Sequence, residues 1–247
     1  MEKHLCRLCE CYVTSLVKSH IVPSAICKLV KGGSKDKDNN IIIIDTKLSY
    51  TKRNPNGIYS EIVCEDCEKK FQTWDQCAVE FFKEAEKSIH NSSLWEEHIT
   101  WKDYNNNYHN LEMFFLSLLW RADASDHEFF SLVSLTKKER SILSKLVLDN
   151  PVKEISMFKV GINAIRSNSF LAIGRPKPIL IDQNHVRSYI FNILNLEIYI
   201  ACDKKLSFSS TENVLSPSYT KTPLVEKNGL QYWEDIKNTA SLISRNH

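Results

Sequence analysis

Two cysteine pairs and one histidine near the start of the chain have the types and spacing that chemistry needs. Cys6 and Cys9 form one Cys-x-x-Cys pair, and Cys64 and Cys67 form a second. Between them His20 stands in the run Ser19-His20-Ile21-Val22-Pro23. Two such pairs can enclose one zinc ion in a tetrahedral shell of four thiolates. A closed shell offers no open position, so this zinc is structural and any chemistry must come from its neighbours. His20 is the first candidate, since an imidazole with an ordinary pKa near 6.5 can take a proton at neutral pH. It also has structural readings, as a core histidine or as an alternative zinc ligand. Glu68 follows the second pair directly. It can serve as a carboxylate ligand or simply as an acid favoured at a helix N-terminus.

The elements that must position these residues can be read from periodicity. Val13 to Val22 is rich in β-branched residues and reads as one or two short strands, and Pro23 suits the first turn of a helix stopped by Gly32-Gly33. Ile41 to Ile44 and Ile58 to Val63 read as strands, with Thr51 to Gly57 as a turn-rich link. From Glu65 to about Ile89, Phe71, Trp74, Ala78, Phe81 or Phe82, Ala85 and Ile89 repeat at helical spacing. Knuckle, hairpin and a helix starting at the second pair make a treble-clef module. Fifty-four residues separate Cys9 from Cys64, which makes room for strands and a helix within the insert.

Ser92 to His109 reads as a polar connector holding Trp95 and Trp101. Leu111 to Ala122 is apolar nearly all round and should be a central helix, with Arg121 pairing with Asp123 or Asp126. Thr136 and Glu139 form a capping-box pattern for a helix to Leu148. Past Pro151 the period turns to that of strands: Ile155–Val160, Phe170–Ile173, Ile179–Ile181, and a hairpin over Val186–Ala201 turning near Asn195. Ser207 to Pro223 reads as loop and Leu230 to Ile243 as a closing amphipathic helix. Asp182 and His185 flank a turn and form a weak second constellation. The expected class is α+β. A treble-clef zinc module spans 1–90, a helical region 91–150, and a β-rich α+β region with a closing helix 151–247.

Composition narrows the function. The chain has 247 residues, 43% hydrophobic and 25% charged, which is ordinary for a soluble globular protein. No apolar run is long enough to cross a bilayer and no signal-peptide core is visible, so a cytoplasmic protein is expected, with no membrane partner. In that compartment paired cysteines are metal ligands more often than disulfides. Cys11, Cys27, Cys77 and Cys202 are left over; Cys11 is a poorer competitor for the knuckle and the other three read as small apolar residues. The net charge of +2 gives no global nucleic-acid signal. Its distribution, +3 over 1–70, −5 over 71–150 and +4 over 151–247, is compatible with a polyanion touching both ends.

The order Cys6-x-x-Cys9, Ser19-His20-Ile21-Val22-Pro23, Cys64-x-x-Cys67 resembles the skeleton of zinc-stapled HNH (ββα-metal) endonucleases. That resemblance implies a nucleic-acid substrate, His20 as the general base, and Mg²⁺ or Mn²⁺ at the catalytic site. The chain departs from the pattern at three places. Ser19 stands where the family has a metal-binding acid, Glu68 where it has Asn or His, and Phe71 where a lysine is common. Glu68, with Ser19 or Asp75, could supply the hard oxygen ligands instead. The first half is also similar to a group of bacterial proteins that share CxxC, SHIxP, CxxCE, an aromatic–acid pair and S-x-x-W-R. Here these are Ser19 to Pro23, Cys64 to Glu68, Trp74-Asp75 and Ser117 to Arg121. The implied function is a nuclease, in character for bacterial antiphage defence. The competing expectation is a non-catalytic, zinc-scaffolded binding or sensor module for nucleic acid or a protein partner.

Overall fold

The computed structural model describes residues 3–32, 41–45, 50–54, 57–93, 98–100, 107–151, 157–166, 173–181, 186–202 and 221–226. The architecture is α+β, with the cysteine pairs at its N-terminal end. Two small antiparallel pairs come first. Strands β1 (His4–Leu5) and β2 (Tyr12–Val13) flank the first knuckle. Strands β3 (Val17–His20) and β6 (Tyr59–Val63) form a ribbon that sets Ser19 opposite Ser60 and His20 opposite Tyr59. Pro23 caps helix α1 (Ser24–Gly32) from outside its first turn, its carbonyl accepting the Cys27 amide.

Helix α2 (Glu65–Asn91) starts on the second cysteine pair and buries the expected stripe, from Cys67 and Phe71 through Trp74, Ala78 and Phe82 to Ile89. It packs on α3 (Tyr108–Ala124), where every residue from Leu111 to Ala122 is buried. Phe71, Trp74, Phe81, Phe82, Phe114, Phe115 and Trp120 interlock there at centroid separations of 5.2–6.3 Å, in tilted and edge-on pairs. Helix α4 (Lys137–Asp149) begins with the full capping box of Thr136 and Glu139. It ends on Asn150 in the left-handed conformation.

The six described strands of the second half join three from the first half in a nine-stranded sheet. Its centre is the hairpin of β11 (Val186–Ile193) and β12 (Leu196–Ala201), turning at Leu194-Asn195 as expected. Strand β8 (Val160–Arg166) flanks β12; it starts where the expected Ile155–Val160 strand was to end. The other side of β11 is shared by β9 (Ile173–Gly174) and β10 (Lys177–Ile181), one edge interrupted at Arg175-Pro176 because proline cannot donate to a ladder. Alternation sends Tyr189, Phe191, Ile193, Leu196, Ile198, Ile200, Val160, Ile162 and Ala164 into the core shared with the helices. The other face buries Ser188, Asn192 and Glu197.

Four local expectations change. Thr51 to Asn54, expected as link, lies in strand β5 (Tyr50–Asn54), because β4 (Ile41–Asp45) offers it a ladder. Strand β4 also pairs in parallel with β9, so the insert between the cysteine pairs joins the C-terminal sheet. Strand β7 (His98–Thr100) lies in the expected polar connector. Strand β13 (Lys221–Glu226) takes Lys221 to Pro223 out of the expected loop and runs parallel to β8. Trp95, Trp101, the 170–172 part of the third-quarter strand, Asp182, His185 and the expected helix over Leu230–Ile243 lie outside the described residues.

Candidate metal centre and the adjoining histidine

The knuckle at Cys6–Cys9 is a tight turn. Glu10 donates to the Cys6 carbonyl, Cys6 donates to the Cys11 carbonyl, and the Arg7 amide donates to the carbonyl of Ile62 on β6. Glu10 takes φ +57°, a left-handed conformation that costs an L-residue about 1–2 kcal/mol. The second pair sits at the start of α2. Cys64 is the N-cap, yet its side chain makes no capping bond, because its sulfur belongs to the cluster.

The Sγ atoms of Cys6, Cys9, Cys64 and Cys67 all lie within 4.8 Å of one another. Cys6 and Cys67 are 3.7 Å apart and Cys9 and Cys64 are 3.9 Å apart. A disulfide needs about 2.05 Å. A zinc tetrahedron with Zn–S of about 2.3 Å has edges of about 3.8 Å. The dimensions therefore fit zinc, and the four residues can hold a metal ion. The Cys64 amide donates to Cys6 Sγ at 3.3 Å, tying the two pairs together through the backbone. Burial first, then the neighbouring Cys6 sulfur, pushes the Cys67 thiol well above the ordinary range; a dication at the centre would reverse that balance. Cys11 is exposed, with its Sγ 3.5 Å from the Cys9 carbonyl, and is not in the cluster. Cys27 and Cys202 are buried as expected, whereas Cys77 is half-buried with its thiol toward the Asn107 carbonyl.

His20 ends β3, opposite Tyr59, while the other end of the ribbon, Val17 opposite Val63, leads into Cys64. The half-buried His20 ring meets Tyr59 edge-on at 6.1 Å. Gly57 passes next to the ring; its φ of +78°, rather than any lack of room, is what calls for glycine. The imidazole is thus outside the aromatic core. Lys18 and Tyr59 share its face of the ribbon, with the Lys18 ammonium 5.5 Å from the Tyr59 ring centre.

Ser19 points to the opposite, covered face and is fully buried. Its hydroxyl finds no hydrogen-bond partner among the described residues, and neither does one buried carboxylate oxygen of Glu68. Leaving such an atom unpaired costs about 1–3 kcal/mol, so two of them in the sequence-marked residues are an observation that needs a cause. Glu68, Phe71 and Asp75 share one side of α2 by helical spacing. That side reaches the ribbon through Arg121 of α3. Arg121 is fully buried, forks onto Asp75 at 2.8 and 3.2 Å, and donates to the His20 carbonyl at 2.9 Å.

The partner of Arg121 is therefore Asp75, not Asp123 or Asp126. Asp123 is held by Arg140 and the Leu135 amide, and Asp126 by Arg7. Ser117, one helical turn back on α3, adds its Oγ as an acceptor of the guanidinium at 3.0 Å. With its carboxylate on Arg121, Asp75 is no longer an open oxygen ligand. Trp74 and Trp120 are core aromatics, and Trp120 Nε1 donates to Ser144.

Comparison with family models, with curated proteins and with solved structures returns no match. Among the described residues no helix is long and apolar enough to cross a membrane.

Proposed function

We propose that the chain is a zinc-stapled phosphodiesterase acting on nucleic acid, with His20 as general base and Glu68 as the carboxylate that would hold a divalent cation. The observation that carries the reading is the buried carboxylate oxygen of Glu68, without a partner among the described residues, on helix α2, which packs against β3. A carboxylate oxygen is a hard donor of the kind Mg²⁺ and Mn²⁺ take, usually with several waters. Bound there, such an ion would supply Lewis-acid stabilisation to a phosphodiester oxygen. Zinc in the four-cysteine cluster would fix the start of α2, and so Glu68, against β3. His20, half-buried at the strand end, would accept the proton of the attacking water. Lys18 and Tyr59 on the same ribbon face offer a cation and an aromatic surface to a nucleotide.

A second reading, a zinc-scaffolded binding module without catalysis, is favoured by one observation. Asp75 is engaged by Arg121, which leaves Glu68 as the carboxylate of the site. One experiment separates the two. Wild type, His20→Ala, Glu68→Ala and Ser19→Ala, each with zinc content measured, are incubated with DNA and RNA in Mg²⁺ or Mn²⁺. Cleavage by wild type that falls at least about a hundredfold in His20→Ala and Glu68→Ala supports the enzyme. Salt-dependent binding without cleavage supports the module, and equal cutting by all four proteins removes these residues from the mechanism.

A further inference from the structure

We infer that Arg121 is a positioning residue for His20: its guanidinium, anchored on Asp75, holds the strand end that carries the imidazole. Only the role of His20 in cleavage rests on the reading above; the positioning is a property of the fold.

The argument begins with one peptide unit. The Ile21 amide donates across the ribbon to the carbonyl of Ile58. In a trans peptide the carbonyl of the preceding residue points the opposite way, so the His20 carbonyl faces the open edge of β3. Beyond it the strand cannot continue, since Pro23 has no amide to give and α1 begins at Ser24. The last ladder position of the ribbon is His20 opposite Tyr59. Among the described residues the ladder of the ribbon ends at this pair. Arg121, 101 residues later, supplies the bond at 2.9 Å.

A simple ion pair does not require this arrangement. Arg121 is fully buried, while the Asp75 side chain is 21% exposed. The guanidinium lies 4.8 Å from the centre of the Phe71 ring and 5.8 Å from that of Phe114. An apolar side chain would fit such surroundings, and replacing a buried pair by apolar residues is often neutral for stability. What an apolar residue cannot do is bond Asp75, Ser117 and His20 at once. The planar fork does so. Nη1 is shared between the His20 carbonyl and Asp75, Nη2 between Asp75 and Ser117 Oγ, and Nε faces the Ser117 carbonyl. Ser117 Oγ is itself fixed by donating to the Phe114 carbonyl. The result is a bracket from α2 and α3 to the backbone of His20, whose side chain lies on the outer ribbon face with Lys18 and Tyr59.

The test reads His20 without a nucleic-acid substrate. Zinc-loaded full-length wild type, Arg121→Met, Arg121→Lys and Asp75→Asn are treated with diethylpyrocarbonate, and the modification rate at His20 is followed by peptide mass spectrometry, with exposed His90 as internal reference. Arg121→Met is expected to speed modification of His20 about tenfold relative to His90, the value of one lost charge-assisted hydrogen bond. Arg121→Lys, which keeps the charge but lacks the fork, should fall between. Asp75→Asn leaves Arg121 in place, removes its anchor and should move the rate in the same direction, which keeps the test open if Arg121→Met does not fold. A folded, zinc-loaded Arg121→Met or Asp75→Asn with lowered thermal stability and unchanged His20 reactivity would overturn the inference, leaving a structural ion pair. Where wild type cuts nucleic acid, Arg121→Lys should lower kcat with KM unchanged. Absence of cutting by wild type defeats the proposed activity alone, since the modification rates stand apart from it.

Discussion

Two glutamates stand in the first turns of two helices, and their surroundings differ completely. Glu139, at the third position of α4, receives the Thr136 amide at 2.7 Å, the Thr136 hydroxyl at 2.8 Å, and the Arg187 guanidinium from the sheet. Arg187 in turn donates to Tyr189 Oη and the Ser134 carbonyl, so the junction of helix and sheet is closed. Glu68, at the fourth position of α2, gains from the same helix dipole, but one of its oxygens is buried without a partner. Its helix has no capping box because the N-cap is Cys64, committed to the cluster. A helix-terminal acid explained by structure alone looks like Glu139. Glu68 does not look like that, and its open oxygen is what the proposed site rests on.

The comparison can be broken most severely at the metal. Thiolate zinc sites are worth on the order of 10–16 kcal/mol in small peptides, comparable with the 5–15 kcal/mol stability of a whole domain. Cys67→Ser, or prolonged chelation of wild type, is expected to release the ion and melt the N-terminal end, with the thermal midpoint by calorimetry and zinc by elemental analysis as readouts. Stability unchanged by metal removal would detach Glu68 from the frame assigned to it.

The next effect sharpens the contrast directly. Glu139→Gln should cost about 1.5–3 kcal/mol in urea unfolding, the loss of charge-assisted bonds in a closed network. Glu68→Gln should change stability by no more than about 0.5 kcal/mol while abolishing metal-dependent cleavage. Equal stability losses in the two variants would make Glu68 another joint.

Acid should test the closed network around Glu139. Burial pushes the Glu139 carboxyl up, but Arg187 and the Thr136 amide and hydroxyl outweigh it and hold it below its usual 4.5. Its contribution is complete above pH 4.5 and is lost as pH falls through the lower folded value. Wild type should therefore lose stability below about pH 4.5 more steeply than Glu139→Gln. Parallel acid limbs would remove Glu139 from the network. The smallest effect belongs to the knuckle. Glu10→Gly, relieving φ +57°, should raise the thermal midpoint by no more than about 1 kcal/mol equivalent, and a decrease would show that the Glu10 side chain does more than occupy a turn.

The metal centre was legible because its code is local: four cysteines in two pairs, with helix α2 announced by a stripe from Phe71 to Ile89. The capping box and the Val186–Ala201 hairpin were legible for the same reason. Long-range choices were not. Four consecutive isoleucines announce a strand but not that it will lie parallel to Ile173 and Gly174. Arg121 had two acids close by in sequence and took a third, Asp75, because α2 and α3 pack side by side. The resemblance singled out Ser19 and Glu68; their missing partners became visible only once burial was known for each atom.

The parallel pairing of β4 with β9 has a consequence for how the chain is made. At 5–20 residues per second, the ribosome delivers the hairpin of β4 and β5 several seconds or more before β9, which lies more than a hundred residues downstream. During that interval an isoleucine-rich edge waits without the neighbour it will finally adopt, a template for pairing between nascent chains. The early cysteine turn and the late sheet are thus tied together by a strand that must stay uncommitted, and chaperone demand during synthesis should peak while it does.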